Sequence, residues 1–209
     1  MMKKIKEVQS LLQNKDGVWY QVFDLIRFVL ICLAIVIPIR VLIAQPFIVE
    51  GESMIPTFQN KNYLIVDQIS YRLGHPERGD VIVFRYPNNP SRFFIKRVIG
   101  LPGETISFDG KSISIINESH PDGLILEEPY ITHSLYHSEE TTLGDGQYYV
   151  MGDNRSNSSD SRVWGPLDES FITGRAWLRL WPLSKISTHP GDYRNDYESP
   201  IVELENIEA

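Results

Sequence analysis

From Phe28 to Ile39 the chain carries no charged residue; Arg40 interrupts the run and Val41–Ala44 resumes it. At a helical rise of ~1.5 Å per residue, positions 28–44 span roughly 25 Å, slightly short of a ~30 Å hydrocarbon core. Phe47 and Ile48, or Phe23, Leu25 and Ile26, extend the stretch. A run of this length folds either as a buried core helix or as a membrane span, and the length favours the span. Arg40 near the far end can snorkel to the interface, and Pro38 is tolerated in a membrane helix. A single transmembrane anchor over 28–47 is therefore expected, with the lipid bilayer as a partner. Lys3, Lys4, Lys6, Lys15 and Arg27 precede it, whereas Val41 to Asn60 holds no basic residue. The positive-inside bias puts residues 1–27 in the cytoplasm and the rest outside the cell (inner) membrane. The rival is a cleaved signal peptide. It is disfavoured because Leu42 is bulky where a small residue is wanted before a cut at Ala44, and because Arg40 breaks the apolar region.

Beyond the anchor the pattern changes to β. Asn62–Ser70, Asp80–Tyr86 and Phe93–Gly100 are short runs of β-branched and aromatic residues, separated by Gly/Pro/Asn loops. Thr105–Phe108 and Lys111–Ile115 read as a hairpin joined by a two-residue Asp109-Gly110 turn. Residues 117–146 are polar and read as an insertion or long loop. Gln147–Met151 and Phe171–Trp181 return to strand character. The expected fold is mainly β: antiparallel sheets over residues 48–188 after one N-terminal helix. Residues 189–209 hold six acidic residues against Arg194 alone and read as a solvated acidic tail. The net charge of -7 disfavours a nucleic-acid partner. The single Cys32 permits no intrachain disulfide, and no zinc-type cluster or Gly-rich phosphate loop occurs, so neither metal nor cofactor is expected.

Two stretches carry chemistry. In Gly51-Glu52-Ser53-Met54-Ile55-Pro56-Thr57, Pro56 excludes a helix and Ser53 falls on a stiff turn just past the anchor. In the strand Phe93–Gly100, alternation sets Phe94, Lys96 and Val98 on one face and Ile95, Arg97 and Ile99 on the other. An amine flanked by apolar neighbours loses hydration, and its pKa falls. A neutral lysine is a competent base for a serine hydroxyl. Each stretch by itself has a plainer reading, a turn serine or a surface lysine. The five histidines sit in loops without a motif.

Four motifs occur in order: Ser-Met-Ile-Pro-Thr (53–57), Gly-Asp-Val-Ile-Val-Phe (79–84), Lys-Arg-Val-Ile-Gly-Leu-Pro-Gly (96–103) and Gly-Asp-Asn-Arg-Ser-Asn-Ser-Ser-Asp-Ser-Arg (152–162). Together they span about half the chain and resemble the type I signal peptidase family. The resemblance implies a serine endopeptidase acting on signal peptides of secretory preproteins. Ser53 is then the nucleophile and Lys96 the general base. The Ser53 backbone N–H is the expected oxyanion donor. Ser158 is expected to hydrogen-bond the lysine, and Asp160 and Arg162 to form a supporting ion pair. Asp153, Asn154 and Arg155 match as scaffold. Some family members place a hydroxyl two residues before the nucleophile; Gly51 stands there, so a second donor must come from elsewhere. Glu52 is expected to point away from Lys96. A bound peptide is expected to pair with strand 80–86 or with the chain before Ser53, over small pockets walled by Ile48, Val81, Val83 and Ile95. Two other readings are a self-cleaving repressor, for which 1–27 is too short to form a DNA-binding domain, and an anchored binding domain without activity.

Overall fold

The computed structural model of the 209-residue chain describes residues 18–38, 44–131 and 138–193. The acidic residues from 194 onward, the basic N-terminal cluster apart from Arg27, and part of the 117–146 segment lie outside them. The chain forms two units, residues 1–43 and 44–209.

The first unit holds helix α1, Val18–Pro38, none of whose residues is buried. Its 21 residues make a rod of about 31 Å, long and apolar enough to cross a bilayer. The helix starts ten residues before the expected anchor of 28–47. No Gly or Pro interrupts Val18–Ile37, so the polar turn carrying Asp24 and Arg27 stays helical. At the other end Ala44–Ile48 is strand β1, not membrane helix.

The second unit is antiparallel throughout. Its large sheet runs β1–β2 (Tyr63–Asp67)–β11 (Ile172–Trp181)–β3 (Val81–Tyr86)–β4 (Asn89–Gly100)–β9 (Gln147–Met151)–β10 (Leu167–Asp168), and β12 (Ser187–Thr188) pairs with β11. Two short helices, α2 (Ser70–Leu73) and α3 (Ser161–Trp164), fill loops. Pro46 fits β1 because that strand is at an edge, where a missing ladder donor is harmless. A second sheet, β7 (Leu124–Ile125)–β6 (Ile113–Ile116)–β5 (Thr105–Phe108)–β8 (Glu139–Thr142), packs through Ile106, Phe108, Ile113 and Ile115 against Ile99, Tyr149 and Met151.

The hairpin departs from the sequence expectation. The β5–β6 loop has four residues, not two: Phe108 faces Ile113, and the Asp109 carboxylate accepts from the N–H groups of Lys111 and Ser112. The side chain supplies acceptors that a tighter turn would take from the backbone. Within 117–146, expected as an insertion or long loop, the described residues include β7 and β8, which form both edges of the second sheet.

Candidate active site

Ser53 lies on a series of turns fastened from below. Met54 and Phe58 are buried with Val49, Leu64, Val81 and Ala176, and Phe58 N–H bonds back to Met54 O at 2.8 Å. Burying two such side chains contributes roughly 3–6 kcal/mol. The turn is thereby anchored while Ser53 itself stays partly exposed.

β4 supplies the amine. Lys96 Nζ donates to Ser53 Oγ at 2.8 Å and to Ile95 O at 2.9 Å, and lies 5.3 Å from the Phe94 ring centroid. Lys96 is only 4% exposed. Burial disfavours the ammonium and pushes its pKa down from 10.5 to about 8; Asp160 and Asp153 pull it back up, and Arg162 pushes it down. Glu52 is exposed and is not among the charges that act on Lys96.

The 152–162 loop frames the pair. Asn154 N–H donates to Ser53 O at 3.0 Å, and its Nδ2 donates to Glu52 O at 3.1 Å. Gly152 is needed for contact: a Cβ there would overlap Ser53 O and Ser158 Oγ. Asp160, fully buried, accepts from Gly152 N–H at 3.0 Å and from Arg162 Nε and Nη2, each at 2.8 Å. Burial opposes the Asp160 carboxylate, but Arg162, the Gly152 N–H and the Ser158 hydroxyl together outweigh it and hold the pKa below the usual range. Ser158 departs from expectation. Its buried Oγ acts on the Asp160 carboxylate, whose pKa it helps to lower, and not on Lys96, which turns to Ser53 and Ile95 O instead.

An open cleft of about 800 Å³ starts at the pair. Its walls are residues 47–53 on one side and 92–96 on the other, with Leu64 and Val83 at the base. Phe47 and Phe93 meet edge-to-face across it at 5.1 Å. Ile48, Val83 and Ile95 line it as expected. Val81 does not; it is packed in the core beneath Met54, two residues too far along β3. Leu64, Phe47 and Phe93 escaped the sequence reading, because the β1–β2 and β3–β4 pairings that bring them together are long-range. No histidine lines the cleft among the described residues. Strand 80–86 cannot receive a peptide, since β3 is paired on both sides, with β11 and β4. Free edges remain on β1 and on the first part of β4, which meets β9 only from Arg97 onward.

Behind the site, Arg97 and Asp153 form an ion pair with no exposed side-chain surface, Nε and Nη2 reaching the two carboxylate oxygens at 2.8 and 2.7 Å. Arg155 donates to both carboxylate oxygens of Glu128 in the inserted segment. Arg97 carried a readable signal: an arginine in a strand between Ile95 and Ile99 needs a buried carboxylate.

The sequence model of a family described as "Signal peptidase, peptidase S26" matches residues 22–181. A protein named "Probable signal peptidase I-1" from Synechocystis is 35% identical over 175 residues, covering 80% of this chain and 86% of that one. "Signal peptidase I" of Leptolyngbya laminosa is 38% identical over 169 residues, 77% and 80% of the two chains. "Signal peptidase IB" of Staphylococcus aureus is 31% identical over 174 residues, 73% and 87%. With a match of this extent, the chain belongs to the signal peptidase family, peptidase S26, and is a serine endopeptidase of the signal peptidase I type.

Proposed function

We propose that this enzyme removes signal peptides from secreted preproteins, with Ser53 as nucleophile and Lys96 as general base. It is anchored by Val18–Pro38 in the cell membrane as a single-pass protein, N-terminus in the cytoplasm and catalytic domain outside. The 2.8 Å hydrogen bond between Lys96 Nζ and Ser53 Oγ, made by a buried amine, carries the reading.

In the uncharged state Lys96 accepts the Ser53 proton as Oγ attacks the scissile carbonyl carbon. The C–O bond forms, and the carbonyl π electrons move onto oxygen, where the Ser53 backbone N–H donates to the oxyanion. The Lys96 ammonium then passes its proton to the departing amine as the C–N bond breaks. Water, deprotonated by Lys96, attacks the acyl carbon; the bond from that carbon to Ser53 Oγ breaks, and Lys96 returns the proton to Oγ. The Asp160–Arg162 pair keeps the loop in shape. Ser158, whose buried hydroxyl lies beside Asp160, supplies an acceptor for the ammonium after a rotation about χ1.

The substrate lies extended between the free edge of β1 and the unpaired part of β4, its main chain bonded as an added strand. Ile48, Val83 and Ile95, with Leu64, leave room for small side chains before the cut. An anchor raises the effective concentration of enzyme at a preprotein still held in the bilayer.

Full-length protein in detergent, incubated with a secretory precursor, tests the reading. Wild type cleaves, whereas Ser53→Ala and Lys96→Met fall at least about 10³-fold without loss of fold. Wild-type rates in either variant sink the assignment. A protease added outside intact cells digests the domain and spares the N-terminus if the orientation is right.

A further inference from the structure

We propose that Gly191 and Tyr193, in the last described stretch of the chain, are positioning residues for the Ser53–Lys96 pair, clamping both catalytic stretches through Arg97 and Thr57. The proposal rests on the role assigned to that pair above.

These residues fall in the segment whose composition reads as a solvated tail. They are not solvated. Pro190 is buried, and Gly191 and Tyr193 are half-buried. β12 leads the chain back from β11, with Thr188 opposite Leu178 and Ser187 opposite Arg179. The segment then turns beneath Arg97. Arg97 directly follows Lys96 in β4, so its side chain leaves the opposite face of the strand. Its Nη1 donates to Gly79 O at 2.8 Å and also to Gly191 O. Its guanidinium carbon lies 4.0 Å from the Tyr130 ring centroid and 5.0 Å from that of Tyr193, and the two rings are 4.9 Å apart. A planar cation held against two aromatic faces and chelated by a carboxylate has little freedom.

The clamp reaches Ser53 too. Thr57, four residues past the nucleophile, donates from Oγ1 to Asp153 Oδ2, the carboxylate that Arg97 chelates. Gly191 packs against Thr57 so closely that a Cβ would overlap Thr57 Cγ2 and stand 3.3 Å from Arg97 Nη2, and its φ of +76° is itself unfavourable to a side chain. One short segment therefore touches the turn that carries Ser53 and the strand that carries Lys96. If it moves, water reaches the buried Arg97–Asp153 pair, and with it the back of Lys96. The charged groups acting on Lys96 are Asp160, Asp153 and Arg162. Loosening the clamp hydrates the amine, and because burial is the largest influence on Lys96 this upward shift exceeds the smaller downward one from a displaced Asp153.

The test uses the full chain in detergent, comparing Gly191→Ala, Tyr193→Ala and Tyr193→Phe with wild type. Expected are a fall in kcat of about tenfold or more for the two alanine variants, KM within about twofold, and an acid limb of the pH profile moved to higher pH. Tyr193→Phe restores both, because the ring and not the hydroxyl faces Arg97. Melting is followed in parallel, with kcat expressed per folded molecule. Alanine variants with the wild-type kcat and pH profile overturn the proposal, even if their melting temperature drops. Ser53→Ala in the same assay separates the two claims: activity retained there rejects the catalytic assignment itself, whatever the clamp does.

Discussion

Asn154 holds Ser53 from the main-chain side, its own N–H bonded to the Ser53 carbonyl at 3.0 Å while its side-chain amide takes the carbonyl of Glu52 at 3.1 Å. Ser53, the proposed nucleophile, is thus fixed by a residue a hundred positions away. Asn154→Ala keeps the first bond and loses the second. A neutral hydrogen bond is worth about 1 kcal/mol net, so kcat/KM should fall about fivefold to tenfold with the fold intact. Steady-state kinetics on a peptide substrate measure this; an unchanged rate would mean that the Glu52 contact plays no part in aligning Ser53.

In the proposed role of base, Lys96 works only when uncharged. With its pKa pushed down to about 8, kcat/KM should climb about tenfold per unit below pH 8 and level off above it. The Asp160 carboxylate favours the ammonium, so Asp160→Asn should shift the climb to lower pH. Stability has its own signature. The folded value lies below the unfolded 10.5, so between about pH 8 and 10.5 the unfolded chain binds more protons, and the Lys96 contribution improves as pH rises through that window. Below pH 8 its cost is present in full. Thermal unfolding between pH 7 and 10 should show this slope in wild type and lose it in Lys96→Met.

Gly152→Ala sets a methyl group into Ser53 O and Ser158 Oγ. One of these is backbone and cannot swing aside. Overpacking of this kind costs about 1–3 kcal/mol, and the shift falls on Ser53. A drop in melting temperature should accompany a loss of activity of about a hundredfold or more. Restored activity in a Gly152→Ala, Ser158→Gly double variant would identify the hydroxyl as the main obstacle.

Ile95 and Val81 sit on the same face of the β3–β4 pair yet differ in what they meet. Ile95 lines the cleft and Val81 only the core. Ile95→Ala should widen the pocket and improve cleavage of substrates with bulkier residues before the cut, by up to about 10–200-fold per added methylene. Val81→Ala should leave the preference alone and lower stability by about 1–3 kcal/mol. A panel of substrate variants with melting curves distinguishes them.

Much of this was readable from local pattern. The β-branched runs bounded by Gly and Pro became β2, β3, β4, β9 and β11. The alternation that set Lys96 apart from Arg97 is also the one observed, with Phe94 and Val98 packed on one face and Ile95 on the other. What local pattern could not reveal was sheet order. β3 looked like an available edge because nothing in its own residues tells that β11, ninety positions later, lies beside it. Glu139-Glu140-Thr141-Thr142 looked like loop because an exposed edge strand has no apolar face to display. The helix start was missed because an apolar-run criterion stops at Arg27, while helical hydrogen bonding continues until a breaker is met.

That sheet order bears on when the enzyme becomes able to cut. Ser53 follows β1, Lys96 belongs to β4, and the strand that stitches β2 to β3 between them is β11, drawn from residues 172–181. A ribosome must therefore reach residues 172–181 before the sheet that holds the alcohol and the amine together can close.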